Sequence, residues 1–271
     1  LVGIIVALSD VASSAVPNYT DVSFNLDFGK SKLGNFSVFG ILATSNIDFL
    51  GDEIDENDLF SAEDEDLFVK SRFGVLGLKH RLSIGDNSYL RTIFSGSLAQ
   101  SQVNSDRYLN KDTPDERIIP FFDTDDLENR LTFSTLFNTK VNNRVTFRTG
   151  VVLENFGLES LLRDREEQPD TDGDGDPDLN TFRDVDESFI SLQPYVQARF
   201  RLTEKLSLNT GLHSLYNSLN EKFVLEPRAG LKYDLNAANS LSLGYGLHHQ
   251  PVPLPLLFVN ENVNGQLLQT N

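Results

Sequence analysis

The sequence predicts an all-β fold, an antiparallel up-and-down β-barrel that spans a membrane. Apolar and polar residues alternate along ten segments, and short turns alternate with long acidic connections along most of the chain. Successive side chains of a strand point to opposite faces, so this alternation gives each segment one apolar and one polar face. No apolar run approaches the ~20 residues that a transmembrane helix requires.

The segment from Leu127 to Lys140 shows the alternation clearly. Leu131 and Phe133 fall on one face, and Arg130 and Thr132 fall on the other. Most of the segments exceed the length typical of soluble strands, and lengths above ~10 residues suit a tilted strand that crosses a bilayer. The ten predicted strands are 22–28, 35–47, 67–82, 88–103, 127–140, 145–153, 190–202, 206–217, 223–234 and 241–248.

The connections between these segments differ in length at the two ends. Those rich in Gly, Asn, Asp, Lys and Ser predict tight hairpins: 30–34, 83–87, 141–143, 203–205 and 235–239. Long loops are expected at 48–66, 104–126, 157–188 and from Gln250 onward, with 217–221 as a short exception. Such alternation is typical of outer-membrane barrels, which have short periplasmic turns and long extracellular loops.

The net charge of -17 argues against a basic surface that binds nucleic acid. Residues 52–66 hold nine carboxylates, 112–126 hold six and 164–187 hold eleven, so these loops hold 26 of the 40 acidic residues. The negative charge is therefore expected at one end of the molecule, the outer surface. The absence of Cys excludes disulfides and thiolate metal sites.

Two stretches of the sequence resemble a known family. Residues 192–250 contain Leu-Glu-Pro-Arg-Ala-Gly-Leu at 225–231 and Ser-Leu-Ser-Leu-Gly-Tyr-Gly-Leu-His at 240–248. This wording is similar to the barrel of TonB-dependent receptors of Bacteroidota, and residues 19–49 resemble a barrel hairpin of the same group. Pro194 and Pro227 would normally argue against a strand. The family carries similar prolines, so both segments remain predicted strands.

The resemblance implies a 22-stranded barrel with a plug domain inside it. It also implies uptake of a scarce nutrient or metal complex, powered by TonB through the plug. The expected partners are thus outer-membrane lipid, the TonB system and an imported small molecule. Plug and TonB-contacting segments lie N-terminal in the family and are not visible here.

Residues 1–271 therefore read as a partial barrel domain, from the first half of the barrel. This fragment alone would form an open curved sheet. Leu1 stands where a complete gene product would begin with Met, and Asn271 falls inside a predicted loop. Residues 1–8 fit a strand end or the tail of a signal peptide, and a strand end is expected.

One acidic motif has the spacing of a cation site. Aspartates at alternate positions, interrupted by glycines, match the first half of an EF-hand calcium loop. Thr181 stands at the twelfth position instead of Glu, so Asp184, Asp186 or Glu187 would have to supply a further ligand. The alternative is a solvated acidic loop tip. The candidate calcium ligands are Asp170, Asp172, Asp174, Asp176 and Asp178.

Other side chains permit weaker predictions. His248 and His249 at the outer rim could bind a metal or substrate, but such residues are more often ordinary polar groups; His80 and His213 receive no role. Some tyrosines could form aromatic girdles at the bilayer interface: Tyr89, Tyr195, Tyr216, Tyr233 and Tyr245. Arginines on polar faces would contact a plug or form cross-strand charge pairs: Arg130, Arg144, Arg148, Arg199, Arg201 and Arg228.

No catalytic motif is present: the sequence lacks G-x-S-x-G, H-E-x-x-H and a phosphate loop. We therefore expect a transporter and not an enzyme, with no cofactor apart from calcium. The alternatives are a ten-stranded outer-membrane enzyme such as a protease, a passive porin, and a soluble all-β binding module. The last would require apolar faces that pack against each other. The transported substrate does not follow from the sequence.

Overall fold

A computed structural model describes residues 17–53, 62–166, 168–249, 258, 260–263 and 266–269. Ten antiparallel strands form one sheet in which the spatial order equals the chain order, as predicted. The strands are β1 Asn18–Ser31, β2 Gly34–Phe49, β3 Glu65–Ile84, β4 Ser88–Leu109, β5 Arg117–Lys140, β6 Val145–Asp164, β7 Asn180–Arg201, β8 Leu206–Asn217, β9 Lys222–Asp234 and β10 Ser240–Gly246.

The strand register aligns apolar residues into continuous rows. Residues paired across neighbouring strands share one face of a sheet. One row therefore crosses seven strands on what we call the apolar face: Leu78, Phe94, Phe133, Leu153, Leu192, Tyr216 and Phe223. The adjacent row, on what we call the polar face, contains Ser95, Thr132, Glu154, Ser191 and Asn217.

The apolar face is open. Phe94 is 55% exposed and Leu243 is 74% exposed, and no second layer covers either of them in the described part of the chain. A soluble binding module would need such side chains to be packed in a dry core. The prediction of two-faced strands is confirmed, whereas the soluble alternative is wrong for this single-layered sheet.

Five strands are much longer than their apolar segments. β3 to β7 contain 20 to 24 residues each. The long loops are correspondingly shorter than expected, since residues 48–66, 104–126 and 157–188 contribute much of their length to strands. In the upper parts, Asp123, Asp125 and Asp126 continue the pairing of β5 with β4 and β6. Both faces are polar there, so the alternation that reveals a strand is lost.

The connections are short turns at one end: 32–33, 85–87, 141–144, 202–205 and 235–239. At the other end they are 50–64, 110–116, 165–179 and 218–221, so the predicted alternation and its exception are confirmed. A 3-10 turn at Gly51–Glu53 lies in the first of these. None of the helices in the described residues is long and apolar enough to cross a membrane.

Beyond β10 the chain is not wholly a loop, as the sequence had indicated. Strands β11 Asn260–Val263 and β12 Gln266–Gln269 form a separate hairpin. Phe258 is buried against Leu158 of β6 and Val185 of β7. The predicted strand end at residues 1–8 lies outside the described residues.

Both prolines are accommodated within strands. Pro194 pairs with Val151 of β6, and on its other side the pairing with β8 is interrupted between Leu192 and Tyr195. Proline has no N–H to donate, so an interruption of the ladder at this point leaves no donor unsatisfied. The carbonyl of Pro227 accepts a hydrogen bond from the N–H of Leu247, at 3.1 Å.

Candidate functional site

The centre of the polar face contains a charge pair and an aromatic stack. Arg130 Nη1 of β5 lies 3.5 Å from Glu154 Oε1 of β6, and Gln193 Nε2 donates to Glu154 Oε2 at 2.9 Å. The Arg130 guanidinium lies 4.4 Å from the ring centroid of Phe156. That ring stacks on Phe189 with centroids 4.9 Å apart. Arg130 thus forms a cross-strand pair and a cation–π contact within the wall.

Higher on the same face, a buried cluster joins β5, β6 and β7. Arg183 Nη2 lies 2.9 Å from Asp126 Oδ1, and the hydroxyl of Ser160 donates to the same carboxylate. The Arg183 side chain is only 7% exposed. Hydrogen bonds to a charged partner are stronger than neutral ones, so this cluster stabilises strands that extend above the apolar rows.

A second polar cluster lies where β3 and β4 end. The hydroxyl of Tyr108 donates to Asp66 Oδ2 at 2.9 Å, and Lys111 Nζ lies 2.9 Å from Asp52 Oδ1. The hydrogen bond to Asp66, together with burial and nearby carboxylates, raises the pKa of Tyr108 to about 12. The hydrogen bond to Asp52 raises the pKa of Lys111.

The shorter side of the sheet has one polar node, centred on Glu226 of β9. Its carboxylate lies 2.9 Å from His213 Nδ1 and 2.6 Å from Arg228 Nη2. It also accepts a hydrogen bond from the backbone N–H of His249 at 2.6 Å, and His249 Nδ1 lies 3.3 Å away. The Glu226 side chain is only 3% exposed. A buried carboxylate requires such donors, and they explain its position.

The sequence interpretation did not find this node. It treated His213 as isolated and His249 as a rim group, whereas both contact Glu226. The available signal was a carboxylate on the polar face, since Glu226 alternates with apolar residues inside a strand. Pairing of β8 with β9 brings His213 opposite Glu226, and a single sequence does not reveal that register.

Toward the short turns, the polar face is basic. Arg144, Arg199 and Arg201 are exposed, and none of them forms an ion pair within the described residues. Arg148 Nε donates to the amide oxygen of Asn138 at 2.8 Å. These four residues, Arg144, Arg148, Arg199 and Arg201, are called the basic surface below. Of the two predicted roles of the arginines, wall pairing fits Arg130 and Arg228, whereas these four remain available to a partner.

The acidic motif lies in the 165–179 connection between β6 and β7. Carboxylate oxygens of Asp170, Asp172 and Asp174 lie within 4.8 Å of one another, and all three residues are exposed. Asp170 accepts hydrogen bonds from the N–H groups of Gly173 and Gly175, at 2.7 and 3.0 Å. Both glycines have positive φ, 81° and 91°, which glycine adopts without steric cost.

The other two candidate aspartates bind protein groups. Asp176 is 6% exposed and accepts two hydrogen bonds from Arg117, at 2.7 and 3.0 Å. Asp178 accepts the hydroxyl of Thr171. The structure therefore brings together three of the five predicted ligands and uses Asp176 to anchor the loop to β5. Asp184, Asp186 and Glu187, the suggested further ligands, belong to β7 and not to the group of three.

The five tyrosines divide between the two faces. Tyr216 and Tyr233 lie on the apolar face near opposite ends of their strands, which fits two girdles. Tyr245 lies on the same face, opposite Ala229. Tyr89 lies under the Arg81 guanidinium, and Tyr195 contacts the Gly150 position, both on the polar face. The girdle interpretation is wrong for these last two.

This arrangement defines a class of protein. One sheet of sequential antiparallel strands exposes an apolar face, carries ion pairs on the other face, and has short turns at one end only. These are the features of the wall of an outer-membrane β-barrel.

Comparison with known families assigns the chain more narrowly. The family model described as "TonB dependent receptor-like, beta-barrel" matches residues 10–268. The chain therefore belongs to this family, and it is an outer-membrane protein. The family prediction is confirmed, and the assignment to a Bacteroidota branch stays a prediction. No curated protein matches the chain significantly.

Solved structures agree with the fold. The outer membrane transporter YddB from Escherichia coli is 12% identical with a TM-score of 0.50, over 86% of this chain and 38% of that one. The ferripyoverdine receptor of Pseudomonas aeruginosa is 17% identical, TM-score 0.38, over 86% of this chain and 40% of that one. The chain thus spans about two fifths of each of these proteins.

Proposed function

We propose that the chain is part of the wall of a transporter that imports a scarce nutrient or metal complex with energy delivered through TonB. The observation that carries the proposal is the two-faced sheet, which exposes apolar rows on one side and charged groups on the other, in a chain of this family. In this proposal the apolar face meets lipid and the polar face lines the interior.

The sheet edges support a larger barrel. β1 and β10 each pair with one neighbour in the described sheet. Unpaired backbone N–H and C=O groups are costly in lipid, so a membrane-spanning sheet has to close. We infer that residues 1–271 are a partial barrel domain, and that further strands complete a barrel of about 22 strands.

The basic surface supports a plug domain that lies outside this chain. Its four arginines face the proposed interior close to the periplasmic turns, and three of them lack an ion pair in the described residues. A plug that carries carboxylates at this level would satisfy them. TonB would act through that plug, and the imported small molecule would pass along the polar face.

Transport can be tested with the full-length gene that encodes this chain. Deletion of the gene and deletion of tonB should each abolish growth on the same limiting nutrient, in a screen of iron chelates, cobalamins and oligosaccharides. Re-expression should restore growth only when TonB is present. Growth that is independent of TonB, together with large open-channel conductance in planar bilayers, would favour the porin alternative.

We also propose that the protein is not an enzyme. The protease alternative would require a histidine–carboxylate cluster at the rim. The cluster that exists uses Glu226 to hold Arg228 and the backbone of His249, which is a structural role. The purified receptor should therefore leave casein intact, whereas cleavage that is lost in the His213→Gln variant would contradict this.

For the acidic loop we propose calcium as the ligand. Three exposed carboxylates within 4.8 Å form the kind of oxygen cluster that binds this hard cation. Isothermal titration of the full receptor with CaCl₂ should release or absorb heat, and Asp172→Asn should abolish this signal. Asp184→Asn, on β7, is the matched control. No heat at millimolar calcium would refute the proposal.

A further inference from the structure

A groove on the apolar face has two basic residues above it. Gly74 of β3 lacks a side chain and lies between Leu42 of β2 and Leu98 of β4, which it pairs with. Together with Val22 of β1 these residues line a groove of about 470 Å³. Leu42, Leu98 and Val22 are all 45% exposed or more, so the groove opens outward.

The next two rows toward the long connections carry the charge. Arg72 lies in a row with Thr20, Thr44 and Gln100. Lys70 lies in the row above, with Asn46 and Gln102. None of these row partners on β1, β2 or β4 is a carboxylate.

Neither cation has an ion-pair partner in the part of the chain that the structure describes. Asp125 of β5 accepts the amides of both Gln100 and Gln102, at 2.8 Å each. Arg163, another cation on this face, is bonded to Asp123. Arg72 and Lys70 thus differ from the paired charges of the upper wall, since their charge remains available to an external anion.

We propose that this surface is a specific site for a phosphate-bearing lipid of the outer leaflet. One acyl chain lies along Gly74, and the headgroup phosphate contacts Arg72 and Lys70. The height of the charges supports this assignment, because they directly follow the last apolar row, where lipid headgroups begin. Guanidinium and ammonium groups both bind phosphate, and the guanidinium does so through two parallel hydrogen bonds.

The inference rests on the proposed function, in which the apolar face meets lipid. The two can fail separately. A receptor that stays in the aqueous phase without detergent would refute the membrane wall itself. A receptor that requires detergent but shows no preference among lipids would refute only this site.

Native mass spectrometry of the full-length receptor, incubated in detergent with equal amounts of POPG and POPC, tests the site. These lipids share their acyl chains and differ in net headgroup charge. We expect preferential retention of POPG, with a preference lower by on the order of tenfold in the double variant Lys70→Gln/Arg72→Gln. The matched control is Lys79→Gln/Arg81→Gln, with the same charge change on the polar face of the same strand.

A third variant tests the acyl groove. Gly74→Leu keeps both cations and fills the groove, where a Cβ would lie 3.1 Å from Leu42 Cδ2, a flexible side-chain atom. Retention of both lipids should fall together in this variant. Equal retention of POPG and POPC by the native receptor, or the same loss in both double variants, would overturn the site. So would a receptor dimer that carries no lipid, which would assign the surface to a second copy.

Discussion

The two sides of the sheet cross the same apolar band at different heights. β3 to β7 contain 20 to 24 residues, whereas β8, β9 and β10 contain 12, 13 and 7. From Asn129 to Arg117, β5 continues for roughly 40 Å along its axis above the apolar rows. The comparison teaches that burial against lipid does not explain the tall side, which is stabilised by its own polar contacts.

These contacts are distributed differently on the two sides. The tall side has several clusters, built around Arg183, Tyr108 and Arg117. The short side depends on Glu226 alone. Loss of one contact should therefore have a local effect on the tall side and a larger effect on the short side.

The largest expected effect is at Glu226. In Glu226→Gln, the charge that Arg228 and the His249 N–H contact is removed, and we expect a loss of about 2–3 kcal/mol in the free energy of unfolding. Urea unfolding of the full receptor in detergent, followed by circular dichroism, measures this. Asp234→Asn removes an exposed pair with Lys232 and should cost about 0.5 kcal/mol or less. Equal costs would contradict the difference between the sides.

The Arg183→Gln variant should have a smaller and local effect. It leaves Asp126 without its buried guanidinium, so the upper parts of β5, β6 and β7 should open more easily, by about 1–2 kcal/mol. Hydrogen exchange should rise in residues 117–126 and 156–164 and remain unchanged in 131–137. Faster exchange in 131–137 would show that the tall part and the apolar band unfold as one unit.

Arg117→Gln should affect one connection only. The bidentate contact with Asp176 holds the 165–179 connection against β5, so its loss should raise the rate of cleavage there several-fold. Limited digestion by a protease that cuts before aspartate measures this rate. Lys232→Gln removes a comparable charge on the short side and should leave the rate unchanged.

The smallest effect concerns the pH titration of Tyr108. Its folded pKa of about 12 lies above the ordinary value of 10.0. This contribution to stability is present below pH 10 and is lost as pH rises toward 12. Absorbance at 295 nm should show a phenol that ionises late, and Tyr108→Phe should remove it. Asp66→Asn should shift it to lower pH; if it does not, Asp66 is not the main cause.

The sequence predicted the apolar band well. Leu131 and Phe133 alternate with Arg130 and Thr132 because one side of the strand is apolar and the other polar, so the period is visible. It predicted the tall strands poorly. Asp123, Asp125 and Asp126 are paired as regularly as Phe133, yet water on both sides removes any pattern.

The candidate site was predictable only where it is local in sequence. Asp170, Asp172 and Asp174 are close because they lie in one turn, which their spacing indicates. His213 and Glu226 meet through strand pairing, and His249 reaches the same carboxylate through its backbone after β10 ends. A single chain without homologues gives neither the register nor such a backbone contact.

The free edges of β1 and β10 have a consequence for biogenesis. Each edge carries a row of hydrogen-bonding groups that neither water nor hydrocarbon can satisfy once the sheet is within the bilayer. Insertion strand by strand would expose these groups at every intermediate stage. The ten strands are therefore expected to enter the bilayer only while a catalyst, or the remainder of the barrel, shields both seams until they join.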